Sequence, residues 1–249
     1  GNRKARVITN GFDRADFEGS EGSLEDKKDS GFQDGSEKSK ATSPGSENVE
    51  SSKSSALFRL TYAGFMNTLR NPVQLWQALD ELCQENPALQ ENLELKIIGT
   101  IDEDVKNHIR QYPNLSGRIH FQAYTPHNQL LEEYKKSSVL LLIQTQSKNS
   151  KGHIPGKFFE YLASLRPILM IGSAESDMAK FLEKLQAGKT NNYQEKEAIK
   201  QSLLSLFEQH QSANVQTDAN EIEAYNRENL TKQLSELLNK QLSSSQNIK

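Results

Sequence analysis

The chain has 249 residues, with 30 Lys and Arg against 33 Asp and Glu, giving a net charge of −3 and a pI near 6.0. That balance, with no basic stripe, gives no electrostatic case for nucleic acid, and the length suits one or two domains. One cysteine, Cys83, excludes an intramolecular disulfide framework. With nothing that resembles a zinc site, a reducing compartment fits. Cys83 falls in an amphipathic stretch and is expected to be a small core residue. No apolar run approaches the roughly 18 residues that a bilayer span needs, and no signal peptide is evident. The first residue is Gly rather than Met, so the expectation is an excised piece of a longer protein, with Gly1 a cloning scar.

Arg6 to Asp13 reads as a short strand and a turn, because Asn10-Gly11 tolerates positive φ. From Arg14 to about Ser55 the composition falls to Ser, Gly, Glu, Asp and Lys. Such a segment cannot bury enough surface to offset its ordering entropy, and the expectation over 14–56 is a disordered insertion. A strand then spans Leu57 to Tyr62 and ends at Gly64. Asn71 and Pro72 start a helix to about Glu85, whose apolar stripe makes Trp76 a packing residue rather than a platform. Leu93 to Ile98, Arg118 to Phe121, Val139 to Ile143 and Ile168 to Ile171 read as further strands. Helices are expected over Asp102–Tyr112, Pro126–Lys136, a short segment from Pro155, and Ser176–Leu185. A polar turn is expected over 186–194, then helices over Glu195–Gln209 and Glu221–Leu242.

This strand–helix alternation predicts an α/β, Rossmann-like, doubly wound parallel sheet over residues 57–210, with additional C-terminal helices and a tail over 211–249. Ligands in such sheets bind beyond the carboxyl ends of the strands. GxGxxG is absent, which argues against a dehydrogenase.

The stretch from Ser138 to Ile171 holds the candidate site. An unbroken apolar strand feeds a polar loop, and Pro155-Gly156 opens a helix where proline removes no intrahelical hydrogen bond. Free N–H groups and the helix dipole favour an anion there. Lys157 and Glu160 lie three apart on one face of the first turn. They set a cation suited to phosphate beside a carboxylate suited to sugar hydroxyls.

Pro155-Gly-Lys-Phe-Phe-Glu-Tyr-Leu-Ala163 with Pro167-Ile-Leu resembles the donor-binding segment of GT-B glycosyltransferases, in the retaining family 4 and its bacterial relatives. Tyr62-Ala-Gly64, Arg70-Asn-Pro72, Leu95-Lys-Ile-Ile-Gly99 and Arg227-Glu-Asn-Leu-Thr231 extend the likeness, and Asn10, Gly11 and Asp13 match the end of the interdomain linker, within 1–13. The resemblance covers only the C-terminal, nucleotide-sugar half. It implies that Glu160 binds the ribose hydroxyls, and that Lys157, Arg70 and the amides at Gly156 face the diphosphate. It implies that Gly64 admits the phosphate and that Tyr124 and Thr125 read the base by their backbone. Each charged residue has a plain alternative: a glutamate held by the helix dipole, a solvated lysine, a solvated arginine.

Two positions depart from the pattern. Gly152 stands where many relatives carry a second glutamate, and Phe65 where many carry arginine. Asn149, Ser150, Lys151 or His153 is left to approach the sugar, and His153 is taken as a donor-binding candidate. No catalytic residue is assigned. No metal site and no cofactor are expected, since the candidate site has no DxD motif; the nucleoside-diphosphate sugar is a substrate. The resemblance implies the donor domain of a retaining glycosyltransferase in polysaccharide or glycoconjugate synthesis. A GT-B nucleotide-sugar epimerase and a non-catalytic nucleotide- or partner-binding domain are the alternatives. The implied partner is a missing N-terminal acceptor-binding domain. The implied location is the cytoplasm, with membrane association only through that missing half.

Overall fold

The computed structural model describes residues 7–18, 57–147, 150–213 and 219–246. Six strands form one parallel sheet in the order β3-β2-β1-β4-β5-β6. They are β1 Phe58–Ala63, β2 Leu93–Ile98, β3 Ile119–Gln122, β4 Val139–Ile143, β5 Ile168–Ile171 and β6 Gly188–Asn191. The helices are α1 Ala15–Glu18, α2 Val73–Glu85, α3 Pro87–Asn92, α4 Glu103–Ile109, α5 His127–Lys136, α6 Gly156–Ala163, α7 Asp177–Lys184, α8 Lys196–Gln211, α9 Ala219–Glu223 and α10 Arg227–Gln246. The expected Rossmann-like architecture with extra C-terminal helices is therefore the observed one.

The central strands are apolar on both faces because each face carries helices. Along β4, Val139, Leu141 and Ile143 join one core cluster with α2, α4 and α8. Leu140 and Leu142 point the other way, to α5, α6 and α7. Trp76 is fully buried, with its indole N–H donating to Asn71 Oδ1 at 2.7 Å, and Cys83 is buried beside it on the same helix. Asn71 thus fixes the ring it precedes, as packing rather than as a platform.

Several expectations need correction. The segment 186–194 is not simply a polar turn, because Gly188–Asn191 forms the edge strand β6. The start of the expected insertion is helical: α1 packs its Phe17 edge-on against Phe12 at 6.4 Å, and its Phe17 carbonyl accepts from Lys135 Nζ. The rest of that insertion, residues 19–56, lies outside the described residues. Residues 7–13 form no strand, only a single bridge from Phe12 to Asn226. That bridge breaks the expected long terminal helix into α9 and α10, with Tyr225 C=O accepting from Phe12 N–H and Phe12 C=O accepting from Arg227 N–H. Gly11 is required for the approach: a Cβ there would lie 2.2 Å from the Tyr225 carbonyl oxygen.

Strand order reverses at β1. Its sequence successor β2 pairs on one side, while β4, reached after β3, pairs on the other. The connections leave the sheet in opposite directions here, so a crevice opens beyond Ala63 and Ile143.

Candidate functional site

A cleft of about 540 Å³ occupies that crevice, walled by Gly64, Arg70, Thr145, His153, Pro155 and Lys157 among others. The β1 turn forms its floor. Gly64 has φ +141° and Gly99 φ +120°, conformations that favour glycine. A Cβ at Gly99 would sit 2.3 Å from the Gly64 carbonyl oxygen, so the two turns stack only because Gly99 lacks a side chain. Three side chains pin this turn from behind. Tyr161 OH accepts from Ala63 N–H at 3.2 Å, Lys157 Nζ donates to Ala63 C=O at 2.8 Å, and Tyr62 OH donates to Phe65 C=O at 2.8 Å.

Lys157 enters from the first turn of α6, capped by Pro155 in extended conformation. Its Nζ lies 4.8 Å from the Tyr62 ring centroid, a cation–π contact. Burial brings its pKa down to about 8, the nearby Arg70 charge adds to the fall, and Glu160 opposes it. Arg70 arrives from a 3-10 turn after β1 and donates through Nε to Thr145 Oγ1 at 2.6 Å. The cleft therefore presents two cations and the unpaired first N–H groups of a helix, a setting for an oxyanion. Burial also pushes Tyr62 up to about 12, against the pull of Arg70, so it remains a neutral donor.

Glu160 lies outside the lining of this cleft, one turn along α6. Among the described residues its half-buried carboxylate makes no hydrogen bond and no ion pair. Burial raises its pKa; His127 opposes, Asp16 adds to the rise, and Arg227 and Lys157 oppose.

Of the residues singled out in the sequence, the fold brings Gly64, Arg70, His153 and Lys157 into the one cleft. Gly156 sits at the start of α6, with an added Cβ 3.6 Å from Asn10 Nδ2. Tyr124 is 86% exposed and is not in the wall of the cleft, and Thr125 is buried, accepting from Gln122 Nε2 at 2.8 Å. Asn149 lies outside the described residues. Lys151 is ion-paired with Glu175. The space above Gly152 is open, with Asp177 Oδ2 3.9 Å from an added Cβ. The reading missed Tyr62, Gln144 and Tyr161. A tyrosine two residues before a turn glycine was the one signal for the first; the others depend on contacts between distant elements.

No protein-family model and no curated protein matches the sequence. Solved structures do. The pneumococcal O-GlcNAc transferase GtfA, solved with UDP and GlcNAc, superposes with a TM-score of 0.55 at 16% identity, over 77% of this chain and 37% of its own. Staphylococcus aureus TarM, solved with UDP, gives 0.52 at 15% over 74% and 36%. The UDP-forming α,α-trehalose-phosphate synthase of Burkholderia vietnamiensis gives 0.50 at 12% over 74% and 46%. The chain is a GT-B glycosyltransferase-like domain in fold, and it spans less than half the length of these structures.

Proposed function

We propose that this domain binds the nucleoside-diphosphate sugar of a retaining glycosyltransferase. The observation that carries the reading is the convergence of Lys157 and Arg70 on the α6 N-terminus, in the crevice between β1 and β4. The diphosphate lies against these cations, and fixed charges there stabilise it as it leaves. Glu160 accepts from the two ribose hydroxyls, the donors its carboxylate lacks among the described residues. Gly64 gives the phosphates close access, His153 lines the path toward the sugar, and the backbone at Tyr124 and Thr125 meets the base. The acceptor and any base come from an N-terminal domain, in keeping with a chain that spans under half of its structural neighbours. The setting is polysaccharide or glycoconjugate synthesis at the cytoplasmic side of a membrane. Among the described residues no helix is long and apolar enough to cross one. Alone, the chain binds donor but transfers sugar poorly or not at all; robust transfer by this chain alone overturns that part.

The first test is a thermal-shift panel of UDP, GDP, ADP and CMP. A ligand that binds only the folded state adds about 2.7 kcal/mol at 100 times its Kd. One nucleotide is expected to raise the melting temperature of the wild type and not of Lys157→Met or Glu160→Ala. A shift that survives both substitutions removes the site from this crevice. No shift with any nucleotide, in this chain and in the full-length protein, removes the donor reading. A second reading, a nucleotide-binding module without chemistry, draws on the open space at Gly152. Sugar transfer by the full-length protein excludes it.

A further inference from the structure

Several lysines of this domain meet carboxylates. Lys96 pairs with Glu133, Lys106 with Glu103, Lys151 with Glu175, and Lys196 and Lys200 with Glu81. Lys157 meets none among the described residues. Its ammonium donates to Ala63 C=O at 2.8 Å and lies against the Tyr62 ring. Gly64 makes room for it: an added Cβ there would lie 3.0 Å from Nζ. The nitrogen is thus fixed in position, half-buried, in the wall of the cleft.

That position favours an amine over an ammonium. Desolvation disfavours the charged form, the Arg70 guanidinium in the same cleft repels it, and Glu160 opposes both. With the pKa at about 8, about a quarter of the molecules carry a neutral Lys157 at pH 7.5, against roughly one in a thousand for an ordinary lysine. Only the neutral form has the lone pair that attacks an electrophile, and lysines are activated in this way by desolvation and by a neighbouring cation. Arg70 supplies a second element. Its Nε is held by Thr145 Oγ1 at 2.6 Å, and its terminal nitrogens make no hydrogen bond among the described residues. A guanidinium anchored at one nitrogen and open at the other two suits a phosphate. A nucleophile and a phosphate holder therefore share one cleft.

We propose that Lys157 is a modification site for small acyl phosphates, with the phosphate seated against Arg70 and the acyl carbon set against Nζ. The Nζ lone pair attacks the acyl carbon, and the N–C bond forms. The bond from that carbon to the phosphate oxygen breaks, and its electron pair leaves with the phosphate. The proton lost by the amine goes to the departing phosphate, so the products are an amide and hydrogen phosphate. The amide keeps one N–H for the Ala63 carbonyl, but the charge is gone. The turn after β1 stays held while the cleft loses one of its two cations. Resting on the donor reading above, acylation is then a covalent off-switch for nucleotide binding.

The probe is acetyl phosphate, with acetic anhydride as the reagent that lacks a phosphate, and the sites are read by peptide mass mapping. With acetyl phosphate, Lys157 of the wild type is expected to react about ten-fold faster than the exposed Lys136 and Lys189. Most of that lead is expected to vanish with acetic anhydride, and in Arg70→Gln. Excess inorganic phosphate is expected to slow Lys157 and leave the other two unchanged. A Lys157 no faster than Lys136 and Lys189 overturns the proposal. So does an equal lead with both reagents, since Arg70 then guides nothing; that comparison uses the wild type and stands whether or not Arg70→Gln folds. Nucleotide binding separates the proposal from the donor reading. For whichever of UDP, GDP, ADP or CMP binds, the acetylated protein is expected to bind about ten-fold more weakly, as for one lost charged contact. An inert Lys157 in a protein that binds nucleotide removes the modification site and leaves the donor reading. An acetylated Lys157 in a protein that binds none, alone and at full length, leaves the modification site and removes the donor reading and the switch with it.

Discussion

Lys157 is the residue where stability and the proposed anion binding pull against each other. Its ammonium is held by Ala63 and the Tyr62 ring, with no carboxylate in contact among the described residues, and burial, with the Arg70 charge adding to it, has brought its pKa from 10.5 to about 8. The sign follows directly. Below pH 8 lysine is charged both folded and unfolded, and the fold bears the full desolvation cost. Above about 10.5 it is neutral in both, and the cost is gone. This contribution therefore makes the fold more stable as pH rises from 8 to 10.5. The shift corresponds to about 3 kcal/mol at neutral pH, while the hydrogen bond to Ala63 returns about 1 kcal/mol. Lys157→Met is thus expected to raise stability by about 1–2 kcal/mol at pH 7 while abolishing anion binding. Urea denaturation at pH 7 and pH 10 checks it: the gain is largest at pH 7 and shrinks at pH 10. A variant less stable than wild type at pH 7 would make Lys157 a structural residue. Glu160 shows the same logic with opposite charge: burial raises the pKa of its carboxylate.

The elements differ in how openly the sequence announces them. Strands β4 and β5 are apolar runs, because burial on both faces writes itself into residue type, and β2 alternates buried Leu93, Leu95 and Ile97 with half-buried Glu94 and Lys96; the observed bounds of all three match the expected ones. The edge strand β6, with sequence GKTN, has no such run. It is a strand because Gly188 comes flush against β5: an added Cβ there would lie 1.9 Å from the Ile168 carbonyl oxygen. That contact belongs to backbone geometry, and polarity cannot reveal it. The division between α9 and α10 was hidden for a related reason. Leucine spacing runs on past Asn226, while the break comes from hydrogen bonds to Phe12, more than 200 residues away in sequence. Within the site, Lys157 and Arg70 were legible from spacing and resemblance, whereas Gln144 became visible only when β4, β5 and β6 were placed side by side. For β6 the consequence is measurable. Gly188→Ala forces the strand off β5 and is expected to cost about 2–4 kcal/mol. Amide exchange should show Lys189 to Asn191 losing protection first. A variant within 0.5 kcal/mol of wild type, with protection intact, would mean that β6 is not held by this contact.

For the whole molecule, the question is where packing ends. The N-terminal segment, α9 and the first turn of α10 close on one another: Gly11 abuts Tyr225, and Leu230 is buried. Farther along the same helix the apolar side chains emerge. Leu234 is 47% exposed, Leu238 56% and Leu242 64%. Their spacing puts them on one face, which this chain leaves uncovered. The chain also spans less than half the length of its structural neighbours. Packing energy scales with the apolar area withdrawn from water, so the two ends of α10 should respond differently to substitution. Leu230→Ala is expected to cost about 2–4 kcal/mol, as for a buried leucine. Leu234→Gln, Leu238→Gln and Leu242→Gln are each expected to shift stability by less than about 0.5 kcal/mol, as surface changes do. Urea midpoints at constant m-value separate the two groups. If the triple variant lost several kcal/mol, the leucines would be covered in solution, and the boundary of the folded unit would lie beyond Leu230. If Leu230→Ala were neutral, the closure of the two chain ends around Gly11 would contribute nothing to stability. The expected split places the last buried turn of the domain at the start of α10, whose Arg227 charge partly offsets the effect of burial on Glu160.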